Sequence, residues 1–204
     1  MADLGRAAHS CRHRIDGTGG DFLDRKVAAM EVKRYGQQDA KTIRTMLLDI
    51  HDAAYEGSTA SFDSRERFAE FVDGWSKRDG WVCLIGFDGD EPVGYLYGAP
   101  FSPGGWWRGS ERPESLAVTE RAFALSELMV LPRWRKTGAS VTLHEALLAS
   151  RSEEAVTLFV DLAHPKVVAL YESWGYAKVD ESKPYDDSPV FAVMLRRLKP
   201  AASD

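Results

Sequence analysis

The segment LMVLPRWRKTGASVTLHEALL, residues 128–148, changes character twice within a short span, and its reading decides the fold. It opens as an apolar strand, passes a proline and a run of cations, then settles into helical spacing. Pro132 has no backbone donor for a central ladder, so the strand is predicted to end near Leu131. Ala139, Leu143 and Leu147 recur at helical intervals, which starts the helix at or just after Gly138. The backbone N–H groups of residues 136–141 would then lie at a helix N-terminus, where free donors and the helix dipole suit an anion. Arg133, Arg135 and Lys136 add positive charge, and Gly138 permits close approach of another group. Taken alone, the stretch reads equally as an ordinary turn with a solvated basic surface. Neither G-x-x-x-x-G-K-[ST] nor G-x-G-x-x-G opens this helix.

Working outward, the chain shows alternating and helical patterns from Met30 onward. MEVKRY reads as a short strand. Ile43, Met46, Leu47 and Ile50 share one helical face, as do Phe68, Phe71, Val72 and Trp75 on the next helix, with Asp63 or Ser64 as its N-cap. WVCLIGFDGDEPVGYLYGAP reads as a hairpin turning at DGDEP. A long connection, FSPGGWWRGSERPESLAVTER, precedes the strand AFALSELMVL. Beyond residue 148 come the strand AVTLFVDL, the helix PKVVALYESWG and the strands YAKVD and PVFAVMLRRL. Strands arriving first as a meander and then separated by helices predict an α/β domain with a mixed sheet.

The 204 residues suffice for one sizeable core, and 44% hydrophobic with 28% charged residues describes a globular domain. A net charge of -5 gives no pull toward nucleic acid or an anionic membrane. No run approaches the length of a membrane span, and no secretory signal is evident at the N-terminus. Cys11 and Cys83 lack metal-ligand spacing; Cys83 reads as a buried thiol, and a reducing cytoplasm is expected. Residues 1–29, rich in Gly, Arg and Asp, read as a flexible or loosely docked extension, and residues 199–204 as a tail. His9 and His13 have i, i+4 spacing, read as part of a solvated tail and not as a metal site.

A second stretch, HPKVVALYESWGY at residues 164–176, follows one strand after the first. Val167, Leu170, Tyr171 and Trp174 fall on one helical face, and Gly175 supplies a C-terminal stop. Together the two stretches resemble the GNAT superfamily of N-acetyltransferases. That family's loop reads [QR]-x-x-G-x-[GA] after a V-x-P strand end; here Val130, Leu131 and Pro132 precede Arg135, Lys136, Thr137, Gly138, Ala139 and Ser140. Its later signature, N-x-x-A-x-x-L-Y-x-x-x-G-[FY], aligns with His164, Val167, Leu170, Tyr171, Gly175 and Tyr176. Ser140, His164 and Val167 depart from the pattern, and His164 removes an amide contact near the pantetheine arm.

The resemblance spans residues 30–198 and implies a single-domain GNAT-like α/β fold. Its sheet would be mixed and mostly antiparallel, with six to seven strands flanked by helices and splayed between the fourth and fifth. It implies acetyl-CoA as cofactor, its pantetheine arm along Leu128, Met129 and Val130. The pyrophosphate would rest on residues 136–141, including Val141, with Arg135 and His164 alongside. Direct transfer to a primary amine is implied, the acceptor being a small metabolite, an antibiotic amine or a protein or peptide amine. Tyr171 matches the family's acid for the leaving thiolate, although a core tyrosine is the competing role. Glu127, which interrupts an apolar strand on the face of Met129 and Leu131, is the first base candidate and would be partly desolvated. A solvent-facing or ion-paired role stays open for it, and Asp161 is the reserve, as base or as helix cap.

Trp106 and Trp107 on the long connection, and Tyr55 with Glu56 and Phe62 after the first helix, are candidate acceptor contacts. The tryptophans read equally as pins that hold the connection to the body. The family often pairs through C-terminal strands or sheet edges, so a homodimer is among the expected states. A non-catalytic acyl-CoA-binding module on the same fold is the alternative function.

Overall fold

A computed structural model describes residues 30–198. The expectations for residues 1–29, including His9, Cys11 and His13, and for residues 199–204 lie outside the described residues. The elements follow the order β1 (Glu31–Tyr35), α1 (Ala40–Ala54), α2 (Arg65–Trp75), β2 (Val82–Asp88), β3 (Glu91–Pro100) and β4 (Ala122–Val130). They continue with α3 (Ala139–Leu148), β5 (Ala155–Asp161), α4 (Pro165–Ser173), β6 (Ala177–Ser182) and β7 (Phe191–Arg197). Local chemistry accounts for the boundaries. Ser64 caps α2, its hydroxyl accepting from the Arg67 N–H at 3.2 Å. Gly138 begins α3 at φ 97°, and Gly175 follows α4 at φ 84°, both in the left-handed region that a side chain disfavours.

The strands form one seven-stranded sheet ordered β1-β2-β3-β4-β5-β7-β6. All neighbours are antiparallel except β4 and β5, so the sheet is the predicted mixed, mostly antiparallel GNAT-like one. Almost every residue of β4 and β5 is buried, on both faces, so helices and loops cover the two sides of the sheet at its centre. Helix α3 packs on β2, β3 and β4, whereas α4 packs on β5 and β6.

Two features shape the middle of the sheet. Strands β4 and β5 pair only at Ala122–Ala155, Phe123–Val156 and Ala124–Thr157, then part. Beyond that point β5 stays paired with β7 as far as Asp161 and Phe191, while β4 stays with β3. The gap between them is the predicted splay. On its other side β4 carries one extra residue: Tyr97 pairs with Glu127 but Gly98 with Leu125, so Ser126 bulges. Gly98 makes room for that bulge, since a Cβ there would press into the Ala124 carbonyl oxygen and lie 2.7 Å from the Phe123 ring.

The long connection at residues 101–121 is pinned, and its tryptophans take the pinning role. Trp107 is 2% exposed, stacks on Phe159 at 4.3 Å and donates its indole N–H to Thr157 Oγ1 at 2.9 Å. Trp106 packs on Phe101 with the Arg112 guanidinium 5.6 Å from its ring. Arg112 in turn donates to the carbonyls of Leu116, Gly105, Ala117 and Glu120. Phe62 likewise belongs to the core, against Phe71 and Phe191. On α4 the expected face is corrected at one position: Val167 and Tyr171 are buried, but Leu170 is 41% exposed.

Candidate active site

The gap between β4 and β5 is bordered by residues 127–130 of β4, four of those singled out in the sequence. In an antiparallel ladder, alternate residues aim their backbone groups at opposite neighbours. The Leu131 N–H donates to Val93 O, and a Cβ on Gly94 would meet the Met129 carbonyl, so Met129 and Leu131 face β3. Leu128 and Val130 therefore turn their backbone groups toward the gap. Val130 O accepts from Arg135 Nε at 3.4 Å, which leaves Leu128 as the open edge for an added strand-like partner. Of the three residues predicted to contact an extended arm through the backbone, Met129 is the one turned away.

Around the loop, the side chains divide in a way that the sequence conceals. Arg135 Nη2 donates to Ala54 O at 3.2 Å, so this arginine ties the end of β4 to the end of α1. Arg133 pairs with Glu91 at 2.8 Å. Thr137 turns inward, donating to Trp134 O at 2.7 Å and accepting from the Ala139 N–H at 3.4 Å. Lys136 stays exposed, and its φ of 64° with that of Gly138 curls the backbone into a shallow nest. The first hydrogen bond within α3 runs from the Thr142 N–H to Gly138 O, so the amides of Ser140 and Val141 precede every intrahelical acceptor. Amides, one exposed lysine and the dipole of a ten-residue helix fit a pyrophosphate. Ser140 is small enough to keep that approach open.

Glu127 lies on β4 past the point where the strands part, and Tyr171 on α4, which packs on β5, is close enough to feel its charge. Glu127 lies three positions past the last β4–β5 pair, opposite Tyr97 and on the face of Met129 and Tyr95. It is fully buried, which corrects the expectation of partial desolvation and removes the solvent-facing role. Beside it in the bulge, the Ser126 hydroxyl is buried and has no hydrogen-bond partner in the structure. Tyr171 is 2% exposed, its ring edge-on to Trp174 at 5.2 Å and to Tyr176 at 5.5 Å. Burial first, then Tyr176 and the Glu127 carboxylate, push its hydroxyl well above the usual tyrosine range. The proton on Tyr171 is therefore held firmly.

The remaining candidates are more peripheral. Asp161 Oδ1 accepts from the Ala163 N–H at 2.8 Å and caps the turn into α4, its alternative role. His164 is the residue before α4, with Nε2 3.9 Å from Asp161 Oδ2. Tyr55 ends α1 and stacks on the buried His51 at 4.6 Å. Cys83 is buried with its thiol pushed well up by burial, so it stays protonated. Two features escaped sequence reasoning. The first is the Ser126 bulge, signalled by two adjacent polar residues in an apolar strand. The second is the buried contact of His144 Nε2 with the Tyr176 hydroxyl at 2.8 Å. A separate groove of about 550 Å³ lies between the start of α2 and the β6–β7 turn. There the Arg67 and Arg108 guanidinium groups each lie 4.9 Å from the Tyr185 ring.

Comparison with known proteins accords with this geometry. The fold resembles an acetyltransferase from Thermus thermophilus at 18% identity and TM-score 0.54, over 85% of this chain and 99% of that one. The ribosomal-protein-S18-alanine N-acetyltransferase from Escherichia coli aligns at 14% identity and TM-score 0.57, covering 86% and 97%. PaiA N-acetyltransferase from Thermoplasma acidophilum, solved in complex with coenzyme A, aligns at 12% and TM-score 0.52, covering 82% and 98%. At such identities the likeness is one of fold. A search of curated protein sequences finds no significant match. Among the described residues, no helix is long and apolar enough to cross a membrane. The sequence itself matches the acetyltransferase (GNAT) family over residues 44–176, a span from α1 through the splay to the end of the second signature. The chain belongs to the acetyltransferase (GNAT) family.

Proposed function

We propose that the protein transfers an acetyl group from acetyl-CoA directly to a primary amine. The observation that carries this reading is the parting of β4 and β5, which leaves a strand edge open between a helix N-terminus and the buried Glu127, whose charge reaches Tyr171. Leu128 would hold the pantetheine arm through its backbone, and the amides of Ser140 and Val141, with Lys136, would seat the pyrophosphate.

Glu127 takes up the proton that an ammonium acceptor must lose before it can attack. Because the carboxylate is buried, the proton reaches it through ordered water, for which the unpartnered Ser126 hydroxyl is a ready anchor. Tyr171 faces the leaving sulfur. Its hydroxyl holds its proton more tightly than a free thiol, whose ordinary pKa is near 8.5. It therefore acts mainly by donating a charge-assisted hydrogen bond to the thiolate as negative charge develops. Tyr55, at the end of α1, is the proposed contact on the acceptor side. Cys83, the cysteine among the described residues, is buried and protonated and so is no ready acetyl carrier, in keeping with direct transfer.

The test is thiol release from acetyl-CoA against a panel of polyamines, amino sugars, aminoglycosides and peptide N-termini. At least one class should give turnover that depends on Tyr171. Binding of acetyl-CoA without turnover on any amine would favour a cofactor-binding module instead.

A further inference from the structure

His144 lies in the middle of α3, fully buried, and touches two rings at the end of α4. It stacks on Trp174 with centroids 4.7 Å apart, and its Nε2 meets the Tyr176 hydroxyl at 2.8 Å. Both of those rings are the edge-on neighbours of Tyr171. The chain closes a second link, the Tyr176 N–H donating to the Tyr171 carbonyl at 3.1 Å. Tyr171 thus sits in a cup of two aromatic rings, and a single residue of α3 holds both. The N-terminus of that same helix carries Gly138, Ser140 and Val141.

We propose that His144 is a positioning residue for acetyl transfer. Through Trp174 and Tyr176 it fixes the Tyr171 hydroxyl relative to the helix whose N-terminus would seat the pyrophosphate. The inference rests on the reading of Tyr171 as partner of the leaving thiolate. Its physical basis is distance control: a hydrogen bond to a developing charge weakens steeply with misplacement. The reacting thioester lies at the far end of an arm anchored on α3, and Tyr171 is borne by α4. Without a fixed link, the two helices would carry the partners of one hydrogen bond independently.

The tautomer follows from the surroundings. Nδ1 makes no hydrogen bond, but the carboxylate nearest to it, Glu145 Oε1 at 3.6 Å, favours the proton on Nδ1, which leaves Nε2 to accept from the Tyr176 hydroxyl. Burial, aided by Arg196, lowers the His144 pKa to about 4, so the clamp is uncharged under assay conditions. The histidine offers a flat face for Trp174 and an edge acceptor for Tyr176 at once.

The test compares Tyr176→Phe, His144→Leu and His144→Gln, each alone and combined with Tyr171→Phe, by steady-state thiol release and by calorimetric titration with CoA. Tyr176→Phe keeps the ring and removes a single oxygen, so it serves as the second variant where His144→Leu proves unstable. Tyr176→Phe and His144→Leu should each lower kcat about three- to tenfold, the equivalent of one lost hydrogen bond. CoA affinity should stay within about twofold. His144→Gln, which restores an acceptor near the Nε2 position, should recover part of the loss. In the Tyr171→Phe background, none of the three should lower kcat further. Wild-type kcat in Tyr176→Phe overturns the inference, as does the same loss with Tyr171 already removed. If Tyr171→Phe itself turns over normally, the reading of Tyr171 fails, and the single variants show that separately.

Discussion

Replacing Tyr171 by Phe removes one oxygen and leaves the packing of α4 in place. The ring is held edge-on by Trp174 and Tyr176, and Phe keeps that ring. Stability should therefore change little, while the charge-assisted hydrogen bond to the departing thiolate is lost. Such bonds contribute about 1.5–3 kcal/mol, which converts to roughly ten- to a hundredfold in kcat. The sign of the pH dependence is also set. The Tyr171 pKa is raised above its ordinary value, so the group stays protonated through the neutral range and deprotonates only above about pH 10. The ratio of wild-type to variant rates should thus be flat from about pH 6 to pH 9. Both proteins should share a rise with pH that reports deprotonation of the acceptor amine or of the base. The assay is thiol release across that range, with CoA titrated calorimetrically into both proteins. Equal kcat values would refute the role. So would a wild-type rate that falls near about pH 8 with a descending limb missing from the variant, because that limb would place the tyrosine pKa low.

Three further outcomes follow from the packing. His144 is neutral in the fold with a pKa of about 4, against an ordinary value near 6.5, so the unfolded chain gains a proton first as pH falls. The stability it contributes is complete above about pH 6.5 and should decline by on the order of 3 kcal/mol toward pH 4. Urea unfolding should show that decline in the wild type and a shallower one in His144→Leu; identical slopes would contradict it. Gly98→Ala should destabilise by about 1–3 kcal/mol or more, because backbone and not a pliable side chain meets the new methyl group. An unchanged melting temperature would mean that the bulge tolerates a Cβ. Arg112→Ala should loosen residues 101–121, detected as faster amide exchange in that connection with the sheet unaffected. Uniform protection would show that Trp107 alone suffices to pin it.

Element order was legible in the sequence because it rests on local signals: Pro132 ending a strand, Gly138 opening a helix, Ser64 capping one. The splay was legible only through the resemblance, since the parting of β4 and β5 depends on pairings about thirty residues apart. Side-chain partners across the fold were hidden for the same reason. Nothing local distinguishes Arg135, spent on the Val130 and Ala54 carbonyls, from Lys136 beside it, which stays exposed. Trp107 was ambiguous until Thr157 and Phe159 came beneath it. The Ser126–Glu127 pair did carry a local signal, because two successive polar residues cannot both obey the alternation of a buried strand. Leu170 shows the opposite failure, a signature residue at helical spacing that the fold leaves exposed.

The most direct test is a single-turnover reaction with excess protein over acetyl-CoA and a mixture of primary amines, followed by mass spectrometry of both small molecules and protein. The account predicts one acetylated amine for each CoA released, no acetyl group on the protein, and a much slower reaction in Tyr171→Phe. Acetyl-CoA returned intact from every amine, or an acetyl group found on the protein itself, would contradict it.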